Sequence, residues 1–119
     1  MNPKDLLGRY GERVAARCLT DAGLVILETN WRCPRGEIDI VAADGDVLVI
    51  CEVKTRSSVA FGDPAEAVNP VKSARLRSLG LQWLADHPGY WAAVRFDVVT
   101  VLKTSAGGPA RVRHLRSAF

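Results

Sequence analysis

Between Gly36 and Arg56 the chain runs GEIDIVAADGDVLVICEVKTR, two apolar runs joined by Asp44-Gly45. Asp-Gly between such runs is a strong hairpin signal, because both central residues of the favoured two-residue turn need positive φ and these two tolerate it. Strands are expected over about Glu37 to Ala43 and Val47 to Thr55. An antiparallel pair is thereby fixed near the middle of a short chain, and everything else has to pack on it. Yet Glu37, Asp39, Glu52 and Lys54 interrupt the apolar runs. Charge inside a strand is costly unless it is paired, hydrated or bound to a metal.

The segments on either side set the frame. Asn2-Pro3 marks a helix start, and Leu6, Leu7, Tyr10, Val14 and Cys18 recur at helical spacing until Ala22-Gly23. LVILETNWR, Leu24 to Arg32, reads as a first strand, ended by the turn residues Cys33-Pro34-Arg35-Gly36. Arg56 to Val68 has no periodicity and is expected to be a long functional loop. A second helix starts at Asn69-Pro70, with Leu76, Leu79, Trp83 and Leu84 on its apolar side, Leu81 off that stripe and Gly80 a local weakness. A fourth strand is expected over Trp91 to Leu102, and RVRHL near the end suits a short fifth strand at an edge. The order α-β-β-β-α-β-β predicts a mixed sheet with helices packed on it, the crossover helix setting the fourth strand parallel to the third.

With 119 residues, 48% of them hydrophobic, a single domain with one core is expected. No apolar run reaches the roughly 18 residues of a membrane span, and the N-terminal residues lack the pattern of a secretory signal, so a cytoplasmic protein is expected. Cys18, Cys33 and Cys51 are odd in number and widely spaced. Neither a disulfide framework nor a zinc site follows from them, and Cys51 reads as a small core hydrophobe. The net charge of +3 is mild, but its distribution is uneven. Arg9, Arg13 and Arg17 lie along one side of the first helix, and residues 103–119 form a basic extension without acids. Each is read either as a solvated face or as a contact for phosphates.

If Asp44 and Gly45 form the loop, Asp39 lies opposite Ile50 and Glu37 opposite Glu52. Glu37, Asp39, Glu52 and Lys54 then share a face, because paired residues point the same way and side chains alternate. Opposed carboxylates repel. Either a pKa rises or a divalent cation lies between them, and hard oxygen ligands suit Mg2+ or Mn2+. Lys54 beside such an ion can orient an attacking water or stabilise charge on a phosphate. The other reading needs no metal: surface ion pairs such as Glu52 with Lys54, or Glu37 with Arg56.

Asp39, followed after the hairpin by Glu52-Val53-Lys54, resembles the D...(D/E)-x-K signature of the PD-(D/E)XK nuclease superfamily, with Ile38 where its name places Pro. More closely, GRYGERVAARCL, the whole of NWRCPRGEIDIVAADGDVLVICEVKTR, FGDPAEAV and VRFDVV resemble the YraN family of bacterial proteins, from about Leu7 to Leu102. That family is similar in fold to archaeal Holliday junction resolvases. The resemblance implies a restriction-endonuclease-like α/β domain, a mixed sheet flanked by helices with an αβββαβ core. It implies Asp39 and Glu52 as ligands of a magnesium or manganese ion, the Val53 carbonyl completing the site, and Lys54 as the catalytic lysine. Glu12 matches a helix-borne acid of the resolvase-like branch. It lies on a flank with Gly8, Ala15 and Leu19, and a solvated pairing with Arg9 or Arg13 is the other reading. A symmetric homodimer is implied by the same likeness.

The function expected is therefore magnesium-dependent hydrolysis of phosphodiester bonds in nucleic acid, DNA first and branched DNA among its forms. Arg56, Lys72, Arg9 and Arg13 are the candidate phosphate contacts; Lys72 with Arg75 reads equally as a solvated helix face. Alternatives are a non-catalytic nucleic-acid-binding module and a partner-dependent adaptor on the same fold. Asp97 is read either as a hydrogen-bond partner behind the site or as an edge-strand charge. Trp31, Trp83 and Trp91 read as core or rim, and neither His87 nor His114 as a ligand.

Overall fold

The computed structural model describes residues 2–58, 70–105 and 107–119. Helix α1 spans Pro3–Asp21, strand β1 Val25–Cys33, β2 Gly36–Asp44 and β3 Val47–Arg56. Helix α2 spans Pro70–Asp86, β4 Ala93–Leu102 and β5 Arg111–Leu115. The strands form one mixed sheet in the order β1-β2-β3-β4-β5, antiparallel except between β3 and β4. Element order and mixed sheet are as the sequence predicts. Trp91 is not in a strand but packs against the α2 cluster ahead of β4. Most of the loop read over Arg56 to Val68 lies outside the described residues. The two helices cover opposite faces: Ala15 and Leu19 of α1 pack with Ile40, Ala42, Val49, Cys51, Val99 and Val101, while Leu76, Leu79 and Trp83 of α2 pack with Ile38, Val41, Leu48 and Ile50. Trp31 and Trp91 flank the second cluster. The three cysteines are unpaired and Cys51 is fully buried. Among the described residues no helix is long and apolar enough to cross a membrane.

Asn2 caps α1 by accepting the Asp5 N–H at 2.9 Å, with Pro3 as the first helical residue. The fully buried row of this helix is Gly11, Ala15 and Leu19; of the predicted Leu6-Leu7-Tyr10-Val14-Cys18 stripe, Tyr10 and Val14 pack half-buried against the core, while Leu6 is 54% exposed. Close approach decides the matter. A Cβ added to Gly11 would land inside the Thr55 side chain of β3, so the helix rests its smallest residues on the sheet. Gly11→Ala is therefore expected to cost about 1–3 kcal/mol by overpacking, although alanine favours the helix by up to about 1 kcal/mol. Urea unfolding checks this, and Thr55→Ala in the same chain should return part of the loss. At Gly80, read as a weakness of α2, the absent Cβ would lie 3.3 Å from Ile50 and Phe96, so the glycine permits tight packing there.

The hairpin corrects the predicted register. Asp44 pairs with Val47 and Ile40 with Cys51, so the loop is Gly45-Asp46 and not Asp44-Gly45. Gly45 has φ +61, and Asp46 is not among the residues of positive φ. That is the pattern of a type II′ turn, with glycine first, where the prediction assumed type I′. Both loops have two residues. The pairing slips by two in register, an even shift that leaves the paired residues on their predicted faces, and Asp39 now stands against Glu52, one step beyond the last ladder pair.

The C-terminal basic segment is built into the sheet. β5 pairs with β4 from Leu102↔Arg111 to Val98↔Leu115, as the outer strand. Asp97, fully buried on β4, holds it there. Its carboxylate accepts from Arg95 Nε at 2.9 Å and Nη2 at 3.0 Å, lies 2.7 Å from His114 Nε2, and accepts the Ser117 N–H at 3.0 Å. Arg95 also reaches Asp44 at 2.9 Å. Burial pushes the Asp97 carboxyl up, but Arg95, His114 and the Ser117 N–H outweigh it and hold the group below the usual carboxylate range. Asp97 is thus no edge-strand charge, and none of these partners lines the cleft described next.

Candidate active site

The β2–β3 ladder stops at Ile40↔Cys51, and beyond it the strands part. Ile40 and Ala42 point to α1, yet Ile38 packs in the α2 cluster, so β2 breaks its alternation at Asp39. The next backbone donor of β3, the Val53 N–H, would be left without its ladder partner. Asp39 supplies one: its Oδ2 accepts that N–H at 2.8 Å. The carbonyl of a strand residue points to the same side as its N–H, so the Val53 oxygen is directed toward the same gap.

Asp39 and Glu52 line one cleft of about 250 Å³ between the parted strands and α2, with Glu37, Lys72, Arg75 and Leu76 among its walls. Alternation along β3 directs Glu52 and Lys54 to the α2 side. Lys54 Nζ lies 2.9 Å from Glu52 Oε1, the two side chains being only 13% and 22% exposed. The ion pair that the metal-free reading proposed for Glu52 and Lys54 is thus present, and its Glu52 end lines the cleft. Glu37 pairs with Arg32 at 2.8 Å, not with Arg56.

Burial pushes the Asp39 carboxyl up to about 6. The Val53 N–H opposes this, while the carboxylates of Glu12, Glu52 and Glu37 add to it. On the other wall, Lys72 is held below the usual lysine range by the neighbouring Lys54 ammonium, then by burial and Arg56, with Glu52 acting the other way. The cleft thus sorts its charge, acids around Asp39 and amines around Lys54. Among the described residues no three carboxylate, imidazole or thiol groups converge on one point. An ion here would take Asp39 and Glu52 as side-chain ligands, and backbone and water oxygens for the rest. Hard oxygen donors and an excess of negative charge around Asp39 fit magnesium or manganese.

Glu12 is half-buried on α1, next to the row that touches the sheet. It lines a larger groove of about 770 Å³ between α1 and β1, together with Lys4, Arg9, Arg13, Asn30 and Arg32. Glu37 lines both the groove and the cleft, so the two adjoin. Arg9 and Arg13 lie exposed along the groove, whereas Arg17 turns away and pairs with Asp21 at 3.8 Å. Arg56, at the end of β3, donates from Nη1 to the Thr55 carbonyl at 3.1 Å.

Two arrangements escape the sequence reading. His114 is the partner of buried Asp97; the signal was Asp97 itself, in phase with core residues Val99 and Val101. Asn30 has φ +54 within β1, and nothing in its neighbours announces it. His87 stacks on Trp83 with ring centroids 4.1 Å apart, and the Trp83 Nε1–H donates to Glu28 at 3.0 Å, which makes this pair part of the scaffold.

Residues 11–101 match a family described as Uncharacterised protein family UPF0102. The chain is 60% identical over 116 residues to a UPF0102 protein of Beutenbergia cavernae, covering 98% of both. It is 55% identical over 119 residues to one of Frankia casuarinae, covering 100% of each, and 55% identical over 118 residues to one of Streptomyces coelicolor, covering 98% of this chain and 90% of that one. Matched to the family over residues 11–101 and 55–60% identical to these members over nearly its whole length, the chain belongs to UPF0102, the YraN family.

Proposed function

We propose that the protein is a metal-dependent nuclease that hydrolyses phosphodiester bonds in nucleic acid, with DNA as the substrate, at the cleft between β2, β3 and α2. One observation carries this reading: Asp39 and Glu52 line one cleft where the strands part, with Lys72 in its wall and Lys54 held on Glu52. The acids would hold an ion, and the amines beside them would receive a phosphate.

Asp39 and Glu52, with the Val53 carbonyl, would hold Mg2+ or Mn2+. When bound, such an ion lowers the pKa of a coordinated water and screens the charge gathering on phosphate oxygens. The protein does the rest. The Lys54 ammonium fixes Glu52 through Oε1. Its remaining protons are available to a non-bridging phosphate oxygen, where charge develops. Lys72 and Arg56 extend this positive wall, and Arg9 and Arg13 on the groove rim would steer the strand by its phosphates, independently of base sequence. A dyad-related pair of copies, as the resolvase likeness implies, would present two such clefts to two strands.

The test is calorimetric titration of Mg2+ and Mn2+ followed by cleavage assays on branched and linear DNA. Lys54→Ala is expected to keep most of the ion affinity and to lose about 10²–10⁴ in cleavage rate. A parent that neither takes up an ion nor cleaves, yet binds DNA equally with and without magnesium, would make this a binding module.

A further inference from the structure

We propose that Asn30 is a positioning residue: its side-chain amide holds the Glu12 carboxylate against the Asp39 side of the cleft. The inference rests on the nuclease reading and adds a residue that no motif marks. The β1–β2 register runs Thr29↔Ile40, then Trp31↔Ile38, so Asn30 falls opposite Asp39. At that one position β1 leaves the extended conformation, with φ +54. A non-glycine residue is uncommon there, asparagine being among the better tolerated, and such a conformation persists only where its surroundings enforce it. The consequence is the direction of the side chain. With its amide oriented to donate, the Asn30 nitrogen lies 3.3 Å from Glu12 Oε1 and 3.2 Å from Oε2, bridging both oxygens of the carboxylate.

That contact joins three elements. Glu12 comes from α1, Asn30 from β1, and Asp39 from β2 one strand inward. Glu12 is close enough to help raise the Asp39 carboxyl, which places a third acid near the pair that would hold the ion. A glutamate on a helix surface has several rotamers open to it, and a bidentate amide selects one. Glu12 lies between Arg9 and Arg13 in the sequence and shares the groove with both. Without the Asn30 amide, its carboxylate is free to turn to either guanidinium and away from Asp39.

Glycine is the informative substitution, since it accepts φ +54 without a side chain and so removes the amide while keeping the backbone. Two measurements are needed. In metal-free protein, the ¹H–¹⁵N resonances of the Asn30 side-chain amide are expected to move in Glu12→Gln. With Mn2+ titrated calorimetrically, Asn30→Gly should bind about fivefold more weakly than the parent while melting no lower. Asn30→Gly/Glu12→Gln should bind no more weakly than Glu12→Gln alone, both changes removing the same placed carboxylate. Amide resonances indifferent to Glu12→Gln, or Asn30→Gly with parental Mn2+ affinity, overturn the proposal. Responsive resonances in a parent that takes up no Mn2+ remove the nuclease reading and leave the tether standing.

Discussion

In metal-free protein at pH 8, Asp39→Asn is expected to melt about 5–10 °C above the parent, while with Mg2+ supplied its cleavage falls to background. The Asp39 carboxyl titrates at about 6 in the fold against an ordinary 3.8. Between those values the fold binds a proton that the unfolded chain has released. Its contribution is therefore full below pH 3.8 and lost as pH rises to about 6. The difference between the two protonation states amounts to about 3 kcal/mol. Asparagine is neutral at every pH and keeps a carbonyl for the Val53 N–H, so it should escape most of that loss. Divalent ion should reverse the order, stabilising the parent by mass action and leaving the variant where it was. Scanning calorimetry at pH 5 and pH 8, with and without Mn2+, checks both halves. Equal midpoints at pH 8 would mean that the carboxylate is not strained by its surroundings.

Asp97→Ala should be among the most damaging single changes in the chain. Removing the central member of a buried ionic cluster strips the others of a partner, at a cost of about 3–5 kcal/mol. Here Arg95 and His114 lose their shared acceptor, and the Ser117 N–H loses its own. Native Asp97 is held below the usual range, so its stabilisation is complete at neutral pH and disappears as pH falls below the ordinary carboxylate value. Urea unfolding at pH 7 measures the loss. Amide exchange along residues 111–115 should rise far more than along β2, because the acid fastens β5. A variant within 1 kcal/mol of the parent would show the cluster to be dispensable, as exposed ion pairs generally are.

How much of this the sequence carries differs from one element to the next. The hairpin was legible even though the loop was misplaced, because both candidate turns have two residues and only parity decides the face. Glu52 and Lys54 therefore share one face, as expected, and the structure shows that face to be the α2 side. The stripe of α1 was legible only in part, because apolar periodicity counts large residues such as Tyr10 and Val14, whereas a helix lying close on a sheet is seated by small ones, here Gly11 and Ala15. Glu12 flanks that row of small residues, whose size allows close approach. The parting of β2 and β3 was not legible at all. It falls where the neighbouring strand β1 departs from extended geometry, at Asn30 opposite Asp39. Asp97 was visible as an acid among core residues, but its partners lie in a tail whose composition suggests solvent.

The fastening of β5 bears on how the chain comes to be folded. Synthesis proceeds from the N-terminus, so α1 and the first three strands can associate while the remainder is still being made. Asp97 cannot be enclosed at that stage, since His114 and Ser117 are made after β4. Until they are, β4 carries an acid without its full set of donors and an outer edge without β5. The nascent protein thus passes through an interval in which its sheet is open on one side, and closure waits on the synthesis of β5.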